Sequence, residues 1–360
     1  MARYRAALIG LGRIASTIDD EVSGIHIKLP YSHMACYRAV PEIEVVAGAD
    51  MYAEQRDEFG RRWGVERLYA DYREMLEIER PDIVSVTTSA RPRAGIVVDC
   101  ARAGARVVYA EKPISVSLAE ADAMVAACRE RGVKLAIGCT WRWDPDWETA
   151  LGLIAAGEIG RVLQVTLSAG TSLSHGGSHL IDLARLLAGG SVRWVFGEME
   201  SDEKAASDDD LMGNGYLAFD NGVRGYLRTW PSGGADYDIE VMGERGGIRG
   251  RLNGSEYDWW QTGTRGWRGG LVWRDFPRDP GAPSQQLRVI HDLVACLDTV
   301  KEPNCTGEDG RAALEVAIAM RESHRQGGRR IDLPLADRSL RMRSSEDVGS
   351  NLPRALRPRG

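Results

Sequence analysis

The first 138 residues of this 360-residue chain alternate between short apolar runs and segments with a helical pattern. Runs rich in β-branched residues occur at 83–87 and 107–110, for example, and each is followed by a segment of helical pattern. Strands that alternate with helices form βαβ units, in which the strands are parallel and the helices cover the sheet. The alternation therefore predicts a doubly wound, mostly parallel α/β domain over residues 1–138.

The pattern changes after Gly138, where strands punctuated by glycine follow. We predict strands at 215–219, 223–229 and 236–243. We interpret them as antiparallel meanders with one face in solvent. Amphipathic helices predicted over 285–299 and 309–325 can return to cover a sheet. We therefore place a second α/β domain at 139–337, followed by a flexible basic tail at 338–360.

Four tryptophans lie close together in the sequence of the second domain: Trp259, Trp260, Trp267 and Trp273. Aromatic residues are enriched at subunit interfaces. The cluster therefore favours a packing or subunit interface over a platform for a sugar ring, although the sequence leaves both alternatives open.

Composition narrows the classes of function. A formal net charge of -6 gives no electrostatic footprint for nucleic acid, and no apolar run approaches the roughly 20 residues of a membrane span. The first residues show no signal-peptide pattern. Six scattered cysteines without a Cys-x-x-Cys pair predict reduced core thiols. We therefore expect a cytoplasmic protein that binds neither nucleic acid nor membrane.

A glycine-rich turn at residues 10–15 directly follows the short apolar run 5–9. It fits the G-x-G-x-x-G/A fingerprint, in which the first glycine permits a tight turn and the second lets backbone N–H groups approach a pyrophosphate. The small Ala15 in third place allows close packing of helix on strand. The cofactor-binding residues assigned here are Gly10, Gly12, Arg13 and Ile14.

Asp50 ends the predicted second strand, residues 43–49. An acid in this place accepts hydrogen bonds from the ribose hydroxyls of NAD and repels the 2′-phosphate of NADP. The usual spacing from the glycines is about 20 residues. The longer spacing here is explained by a loop inserted at 16–32, before a helix predicted over 31–39. The sequence thus predicts NAD, with NADP less favoured; helix capping by Asp50 is the alternative.

The apolar run 107–110 ends in Glu111-Lys112-Pro113. At the carboxyl end of a parallel strand, Lys112 lies where open α/β sheets bind ligands, and a lysine there is costly to desolvate. We predict a catalytic role for Lys112; a plain ion pair with Glu111 is the alternative. Three hydroxyl-bearing residues end the preceding strand and are assigned to the same crevice: Thr87, Thr88 and Ser89.

A second group of polar residues occurs in the predicted second domain. His179 and Asp182 are one helical turn apart, so they share a helix face, and an acid there can hold an imidazole in one orientation. His175 lies one turn earlier. The spacing of the histidines also permits a metal site. No cysteine or further acid cluster supports one, and we predict none.

The sequence resembles the Gfo/Idh/MocA family of oxidoreductases, named for glucose–fructose oxidoreductase and inositol dehydrogenase. The resemblance covers about residues 4–335. The motifs that carry it are Gly10-Leu11-Gly12, Glu111-Lys112-Pro113, Trp141-Arg142-Trp143-Asp144-Pro145, Gly157-Glu158-Ile159-Gly160, His179-Leu180-Ile181-Asp182, residues 307–315 and Leu333-Pro334. The Glu-Lys-Pro and His-x-x-Asp elements in this order are more specific than the glycine fingerprint.

The resemblance implies an N-terminal Rossmann domain, a C-terminal α/β domain with an open, largely antiparallel sheet, and NAD(P) chemistry on sugars, inositols or related polyols. Lys112 takes the place of the family's catalytic lysine and His179 that of its acid–base histidine. Asp182 takes a substrate-contacting or histidine-supporting place, so the substrate group is Lys112, His175, His179 and Asp182. Glu111, Lys112 and Arg142 join the cofactor group.

The resemblance also implies a cis bond between Lys112 and Pro113, and a homodimer or homotetramer formed through the second domain. Two positions depart from the family pattern. His175 stands where inositol dehydrogenase-like members carry Asp, which argues against simple inositol specificity. The family's usual histidine in the helix after the fourth strand is absent around Arg93-Ala94.

The expected reaction is the reversible oxidation of a secondary alcohol. His179 accepts the hydroxyl proton, and Lys112 donates a hydrogen bond to the developing carbonyl oxygen. Two alternatives stay open. In one, tightly held NAD is used transiently to cleave a glycosidic bond; in the other, the chain is a non-catalytic, NAD-sensing regulator.

Overall fold

The computed structural model describes residues 3–22, 27–229, 237–252, 254–263 and 269–344. These residues form two compact units. The first unit comprises the described residues up to Trp143, Pro283–Arg311, and Arg343 with Ser344. The second unit comprises Asp144–Ala282 and Ala312–Met342.

In the first unit, the described residues form a six-stranded parallel sheet. Its strands are β1 (Tyr4–Ile9), β2 (Ile43–Ala49), β3 (Leu68–Tyr69), β4 (Ile83–Val86), β5 (Val107–Ala110) and β6 (Lys134–Ile137). They lie in the order β3-β2-β1-β4-β5-β6, the doubly wound order of dinucleotide-binding domains. Because helices cover both faces of such a sheet, β4 and β5 are buried along their whole length. The predicted fold of this half is confirmed.

Five α-helices connect these strands in the part of the chain described: α1 (His33–Arg38), α2 (Ala53–Trp63), α3 (Tyr72–Glu79), α4 (Ala90–Arg102) and α5 (Leu118–Arg131). Local chemistry sets their ends. The side chains of Ser32, Asp71 and Ser117 accept backbone N–H groups at the starts of α1, α3 and α5. Gly132, in the left-handed conformation, ends α5.

The stretch between β1 and α1 differs from the loop predicted at 16–32. Arg13–Thr17 form a short π-helix and Ile18–Asp20 a 3₁₀ turn, so helical backbone begins directly after the glycine turn. The Asp19 carboxylate accepts two backbone N–H groups just before α1, at 2.7 and 2.9 Å, which ties the end of the insertion to its start. Residues 23–26 of the predicted loop lie outside the described residues.

The second unit contains a nine-stranded sheet among the residues described. Its strands are β7 (Val162–Ala169), β8 (Val192–Met199), β9 (Gly213–Phe219), β10 (Arg224–Thr229), β11 (Tyr237–Gly243), β12 (Gly246–Arg251), β13 (Glu256–Thr262), β14 (Leu271–Arg274) and β15 (Ile331–Asp332). They lie in the order β14-β13-β12-β11-β7-β10-β9-β8-β15. The largely antiparallel sheet implied by the family resemblance is confirmed.

One step of the predicted antiparallel meander is wrong. β9 and β10 pair as predicted, but β10 pairs in parallel with β7 and does not neighbour β11. The strand β7 comes from earlier in the chain and inserts between β10 and β11. Strand propensity and alternation do not encode such an insertion, because pairing partners are chosen by tertiary packing.

The later α-helices are α6 (Pro145–Ala155), α7 (Gly177–Ala188), α8 (Asp202–Ala206), α9 (Gln285–Asp298) and α10 (Gly307–Arg325). α9 lies in the first unit, where Gln286 donates to the hydroxyl of Tyr109 (3.1 Å) and Asp292 accepts the indole N–H of Trp143 (3.1 Å). The prediction that residues 285–299 belong to the second domain followed chain order and is wrong, because this helix packs in the first unit. Across the described part of the chain, every helix lacks the length or the continuous apolar surface that spanning a bilayer requires.

Residues 338–342, at the start of the predicted tail, are packed within the second unit. The carboxylate of Glu315 accepts the backbone N–H of Leu335 (2.9 Å) and pairs with Arg338, and Met342 is fully buried. Residues 345–360 of the predicted tail lie outside the described residues.

The tryptophan cluster is partly described. Trp260 in β13 lies against Trp273 in β14, with 5.6 Å between their ring centroids. Trp260 is nearly buried, whereas Trp273 is 62% exposed. Trp267 lies outside the described residues.

Candidate active site

The glycine turn follows β1 at the carboxyl edge of the first sheet. Gly10 has a φ of +89°, and a Cβ there would lie 2.9 Å from the backbone nitrogen of Thr88, so the position requires glycine. A Cβ on Gly12 would meet no described atom within 4 Å. The turn is therefore tight on its inner side and open beside Gly12, as the approach of a pyrophosphate to the backbone requires.

Asp50 stands beside this turn, directly after β2. One carboxylate oxygen accepts the backbone N–H of Leu11 at 2.8 Å, and the other accepts the backbone N–H of Tyr52 at 2.9 Å. The N-cap residue of α2 is Tyr52, so Asp50 is not the cap that the alternative proposed. Each oxygen keeps a lone pair that a ribose hydroxyl can use.

Two other predicted cofactor residues make contacts within the protein. Thr87 is buried, and its hydroxyl lies 3.1 Å from the carbonyl oxygen of Ile9 and 2.5 Å from that of Gly10, so it braces the glycine turn. The exposed Arg13 pairs with Glu21 at 2.5 Å, which offsets its charge. The predicted contacts of Arg13, Ile14, Thr88 and Ser89 with a cofactor stay predictions.

The Lys112 segment follows β5 at the same sheet edge. The bond between Lys112 and Pro113 is cis, as the family resemblance implied. Glu111 is buried, and its Oε2 accepts the backbone N–H of Lys112 at 3.2 Å. A Cβ on Gly138, at the end of β6, would lie 3.1 Å from Glu111 Oε1, so the neighbouring strand leaves room for this carboxylate.

A buried histidine that the sequence analysis did not single out contacts Glu111. His33 in α1 lies with Nε2 3.1 Å from Glu111 Oε1, and its ring stacks on Tyr109 at 4.5 Å between centroids. Burial by itself raises the pKa of Glu111. The hydrogen bond and charge of His33, with the positive charges of Lys112 and Arg93, outweigh burial and hold that pKa at about 2.

Arg93 occupies the place where the family's usual histidine is absent. It lies in α4 with no exposed surface, and its guanidinium donates to the carbonyl oxygens of Thr88 and Pro113. These carbonyls belong to the loops after β4 and β5. Arg93 therefore joins the two loops that frame Lys112, a role that its planar donor groups can fill.

The turn before α7 is held by Asp210, which the sequence analysis also missed. The Asp210 carboxylate accepts the backbone N–H groups of Ser174 (2.7 Å) and His175 (2.9 Å), and the hydroxyl of Ser172 (2.6 Å). A Cβ on Gly176 would lie 2.1 Å from a threonine hydroxyl oxygen, so the turn closes only with glycine there. The backbone of His175 is thus fixed from both sides.

His179 and Asp182 both lie in α7, so the predicted helical spacing is confirmed. His179 is half-buried near the start of the helix. Asp182 is buried, and its Oδ1 lies 3.6 Å from the guanidinium of Arg185 on the next turn. His175 precedes the helix, in the turn described above.

Arg142 has partners within the first unit. Its guanidinium lies 3.0 Å from Asp309 and donates to the carbonyl oxygen of Asn304 at 2.9 Å. These contacts tie the segment after β6 to the start of α10. The predicted contact of Arg142 with the cofactor stays a prediction.

The first unit brings the glycine turn, Asp50, the hydroxyl residues after β4 and the Lys112 segment to one sheet edge. His175, His179 and Asp182 belong to the second unit, and their meeting with Lys112 stays a prediction. Among the missed residues, Arg93 was signalled by its departure from the family pattern. His33 carried no local signal, because Glu111 is 78 residues away in sequence.

Two family models match most of the chain. The model described as an oxidoreductase family with an NAD-binding Rossmann fold matches residues 4–139. The model of the C-terminal alpha/beta domain of that oxidoreductase family matches residues 165–333.

Two curated relatives match most of the chain in sequence, and a solved structure matches it in fold. D-apiose dehydrogenase from Paraburkholderia graminis is 26% identical over 352 residues, covering 90% of this chain and 88% of that protein. scyllo-Inositol 2-dehydrogenase (NAD(+)) from Bacillus subtilis is 27% identical over 356 residues, covering 90% and 95%. The crystal structure of aldose–aldose oxidoreductase from Caulobacter crescentus, complexed with glycerol, matches with a TM-score of 0.76 at 22% identity, covering 92% and 100%. This last likeness shows the fold.

Proposed function

This chain belongs to the Gfo/Idh/MocA family of oxidoreductases, and we propose that it is a dehydrogenase moving a hydride between NAD and a secondary hydroxyl of a sugar, inositol or related polyol. The observation that carries the proposal is the turn at Gly10 and Gly12, which requires glycine on one side and is open on the other. Asp50 lies beside it at the end of β2. This is the arrangement expected around a dinucleotide.

NAD, when bound, supplies the carbon that accepts or donates the hydride. Gly10, Gly12 and Asp50 would hold it along the carboxyl edge of the first sheet. The Asp50 carboxylate already accepts two backbone N–H groups and would accept ribose hydroxyls with its free lone pairs. A negative group there repels a 2′-phosphate, so NAD is favoured over NADP.

The chain's own residues then handle the substrate proton and oxygen. We assign His179 to accept the hydroxyl proton, a form of assistance typically worth about 10²–10⁴-fold in rate. Lys112 donates a hydrogen bond to the oxygen as it becomes a carbonyl. His175 and Asp182 complete the substrate group. Asp182 is buried, pairs with Arg185, and lies one turn from His179 on the same face of α7.

The substrate class follows from relatives that cover nearly the whole chain. One is named for the branched sugar D-apiose and another for scyllo-inositol, and both names describe dehydrogenases of polyhydroxylated small molecules. His175, in place of the aspartate of inositol dehydrogenase-like members, favours a sugar or sugar derivative over a simple inositol.

The test is a panel of sugars, inositols and sugar acids, each assayed with NAD and with NADP at the NADH absorbance band. We expect net NADH release with at least one sugar or polyol and a clear preference for NAD. A substrate that is consumed without net NADH would contradict the proposal and indicate the transient-oxidation cycle. Tight NAD binding without turnover of any panel member would indicate the regulator.

We propose in addition that the chain forms a homodimer or homotetramer through the exposed face of the second sheet. Phe196, Tyr216 and Tyr226 form one cross-strand row on β8, β9 and β10. Phe196 is 39% exposed and Tyr226 is 42% exposed, and the Tyr216 ring contacts both neighbours. Exposed aromatic clusters of this kind are typical of interfaces. Light scattering should show an oligomer that Tyr226→Glu weakens and that Ile78→Glu, on the first unit, leaves unchanged.

We also propose a cytoplasmic location. All six cysteines are buried and form no disulfide. Burial raises the pKa of the Cys128 and Cys296 thiols to about 12, which keeps them protonated and unreactive. Such thiols suit a reducing compartment. A native disulfide detected by mass spectrometry would contradict this location.

A further inference from the structure

Six polar side chains meet in the interior of the first unit. They are His33 and Tyr37 from α1, Ser85 from β4, Tyr109 from β5, Glu111, and Gln286 from α9, and we call them the His33 network. His33 Nδ1 lies 2.9 Å from Ser85 Oγ, which also contacts the hydroxyl of Tyr37 at 2.7 Å. His33, Tyr37 and Ser85 have no exposed surface.

Such a network is costly to place in a core. A buried polar group costs free energy unless it is hydrogen-bonded, and a buried carboxylate costs more. Well-packed apolar side chains often give equal or greater stability than a buried ion pair. Stability alone therefore does not explain why His33 and Glu111 occupy this core. The position of Glu111, next to Lys112, suggests a functional explanation.

Glu111 connects α1 to the peptide that carries the catalytic lysine. Its Oε1 contacts His33 at 3.1 Å, and its Oε2 accepts the backbone N–H of Lys112 at 3.2 Å. The two oxygens of one carboxylate thus join a core helix to Lys112. Arg93 holds the other side of this segment through the carbonyl oxygen of Pro113.

We propose that His33 is a positioning residue for Lys112, acting through the Glu111 carboxylate. The inference rests on the proposed function, in which the Lys112 amine contacts the reacting oxygen. His33 itself touches neither substrate nor cofactor in this proposal. It fixes the charge and the orientation of Glu111, and Glu111 fixes the backbone from which the amine extends.

The charged groups around Glu111 explain why His33 has a large effect on the pKa of this carboxyl group. The groups that face this carboxylate are His33 on α1, Lys112 beside it and Arg93 on α4, with the Tyr109 ring on β5. Burial opposes ionisation, and the contact with His33 is the largest of the opposing effects. Without that contact, the pKa of Glu111 rises and the carboxylate loses its orienting partner, so it holds the Lys112 backbone N–H less firmly.

A matched pair of substitutions tests the contact. In His33→Gln, the side-chain amide reaches the place of Nε2 and can still donate to Glu111. In His33→Asn, the shorter amide reaches the place of Nδ1 and contacts Ser85 only. Both variants lose the stack on Tyr109 equally. We expect His33→Asn to lower kcat by about 10–100-fold, since small misplacements of a catalytic group cost up to about 10²-fold. His33→Gln should restore most of that loss, and both should keep the wild-type Kd for NAD.

A second measurement does not depend on turnover. Formaldehyde and a reducing agent methylate lysine amines, and mass spectrometry at fixed pH gives the rate for Lys112. This rate reports how accessible and reactive the Lys112 amine is. We expect a changed labelling rate in His33→Asn, because the Glu111 carboxylate no longer holds the Lys112 backbone in place, and a nearly wild-type rate in His33→Gln. If wild type turns over no substrate, the proposed function fails while the labelling still decides the role of His33.

The control is Tyr37→Phe, which removes the far end of the network without touching Glu111. We expect it to lower Tm and leave both kcat and Lys112 labelling unchanged. The proposal is overturned if His33→Asn and His33→Gln give the same kcat and labelling rate, or if Tyr37→Phe lowers kcat as much as His33→Asn.

Discussion

The segment that carries Lys112 and the turn that carries His175 are held in place by different means. The Lys112 segment is fixed by buried charged side chains, since His33 contacts Glu111 and Arg93 donates to Pro113. The turn before α7 is fixed by Asp210, a partly exposed carboxylate that accepts backbone N–H groups. Breaking a buried charge pair is far more costly than removing a partly solvated hydrogen bond. We therefore expect substitutions around the Lys112 segment to destabilise the protein strongly. Substitutions around the turn before α7 should destabilise it less.

The largest effect tests the Lys112 side of the comparison directly. Lys112→Ala removes the hydrogen bond to the developing carbonyl oxygen and should lower kcat by about 10²–10³-fold, the usual cost of one such donor. The Kd for NAD, measured by calorimetry, should change little. Unchanged turnover would retire the assignment of Lys112.

Arg93→Met should destabilise the protein by about 3 kcal/mol, measured by urea unfolding. The substitution leaves the carbonyl groups of Thr88 and Pro113 without their buried guanidinium donor and removes a positive charge near Glu111. Arg91→Met, on the exposed side of the same helix, is the control and should stay within about 0.5 kcal/mol of wild type. Equal effects of the two substitutions on the free energy of unfolding would show that the buried hydrogen bonds of Arg93 add no stability.

Asp210→Ala tests the turn before α7, which carries His175. It removes the acceptor for Ser174 and His175 and should lower kcat by about 10-fold while stability falls by only about 1 kcal/mol. Asp209→Ala, the exposed neighbour with the same charge change, should leave both unchanged. A loss of stability as large as that of Arg93→Met would erase the contrast between the two arrangements.

The last prediction concerns the dependence of stability on pH. The pKa of Glu111 is about 2, below the ordinary 4.5, so its ionised form adds stability that is present above about pH 4.5 and is lost as the pH falls toward 2. Glu111→Gln removes this dependence. The difference in Tm between wild type and Glu111→Gln should therefore shrink as the pH falls from 7 to 3. Glu79 and Glu200, whose pKa values are also lowered by their hydrogen bonds and ion pairs, contribute equally in both proteins. A constant difference in Tm would contradict the role of the charge.

Much of the architecture was predictable because its causes are local. The alternation of strands and helices predicts the first sheet, and the spacing of Gly10 and Gly12 after an apolar run predicts the turn at its carboxyl edge. The helical spacing of His179 and Asp182 was predicted in the same way. Each of these features depends on residues within a few positions of one another.

The sequence by itself thus determined the order of elements, the glycine turn, the place of Asp50 and the strand end that carries Lys112. Only the tertiary structure decided that β7 pairs with β10, that α9 belongs with the first sheet, and that His33 contacts Glu111. The physical reason is that these contacts join residues far apart in sequence. Local propensity and periodicity carry no information on which distant partner satisfies a buried polar group or strand edge, because packing of the whole unit makes that choice.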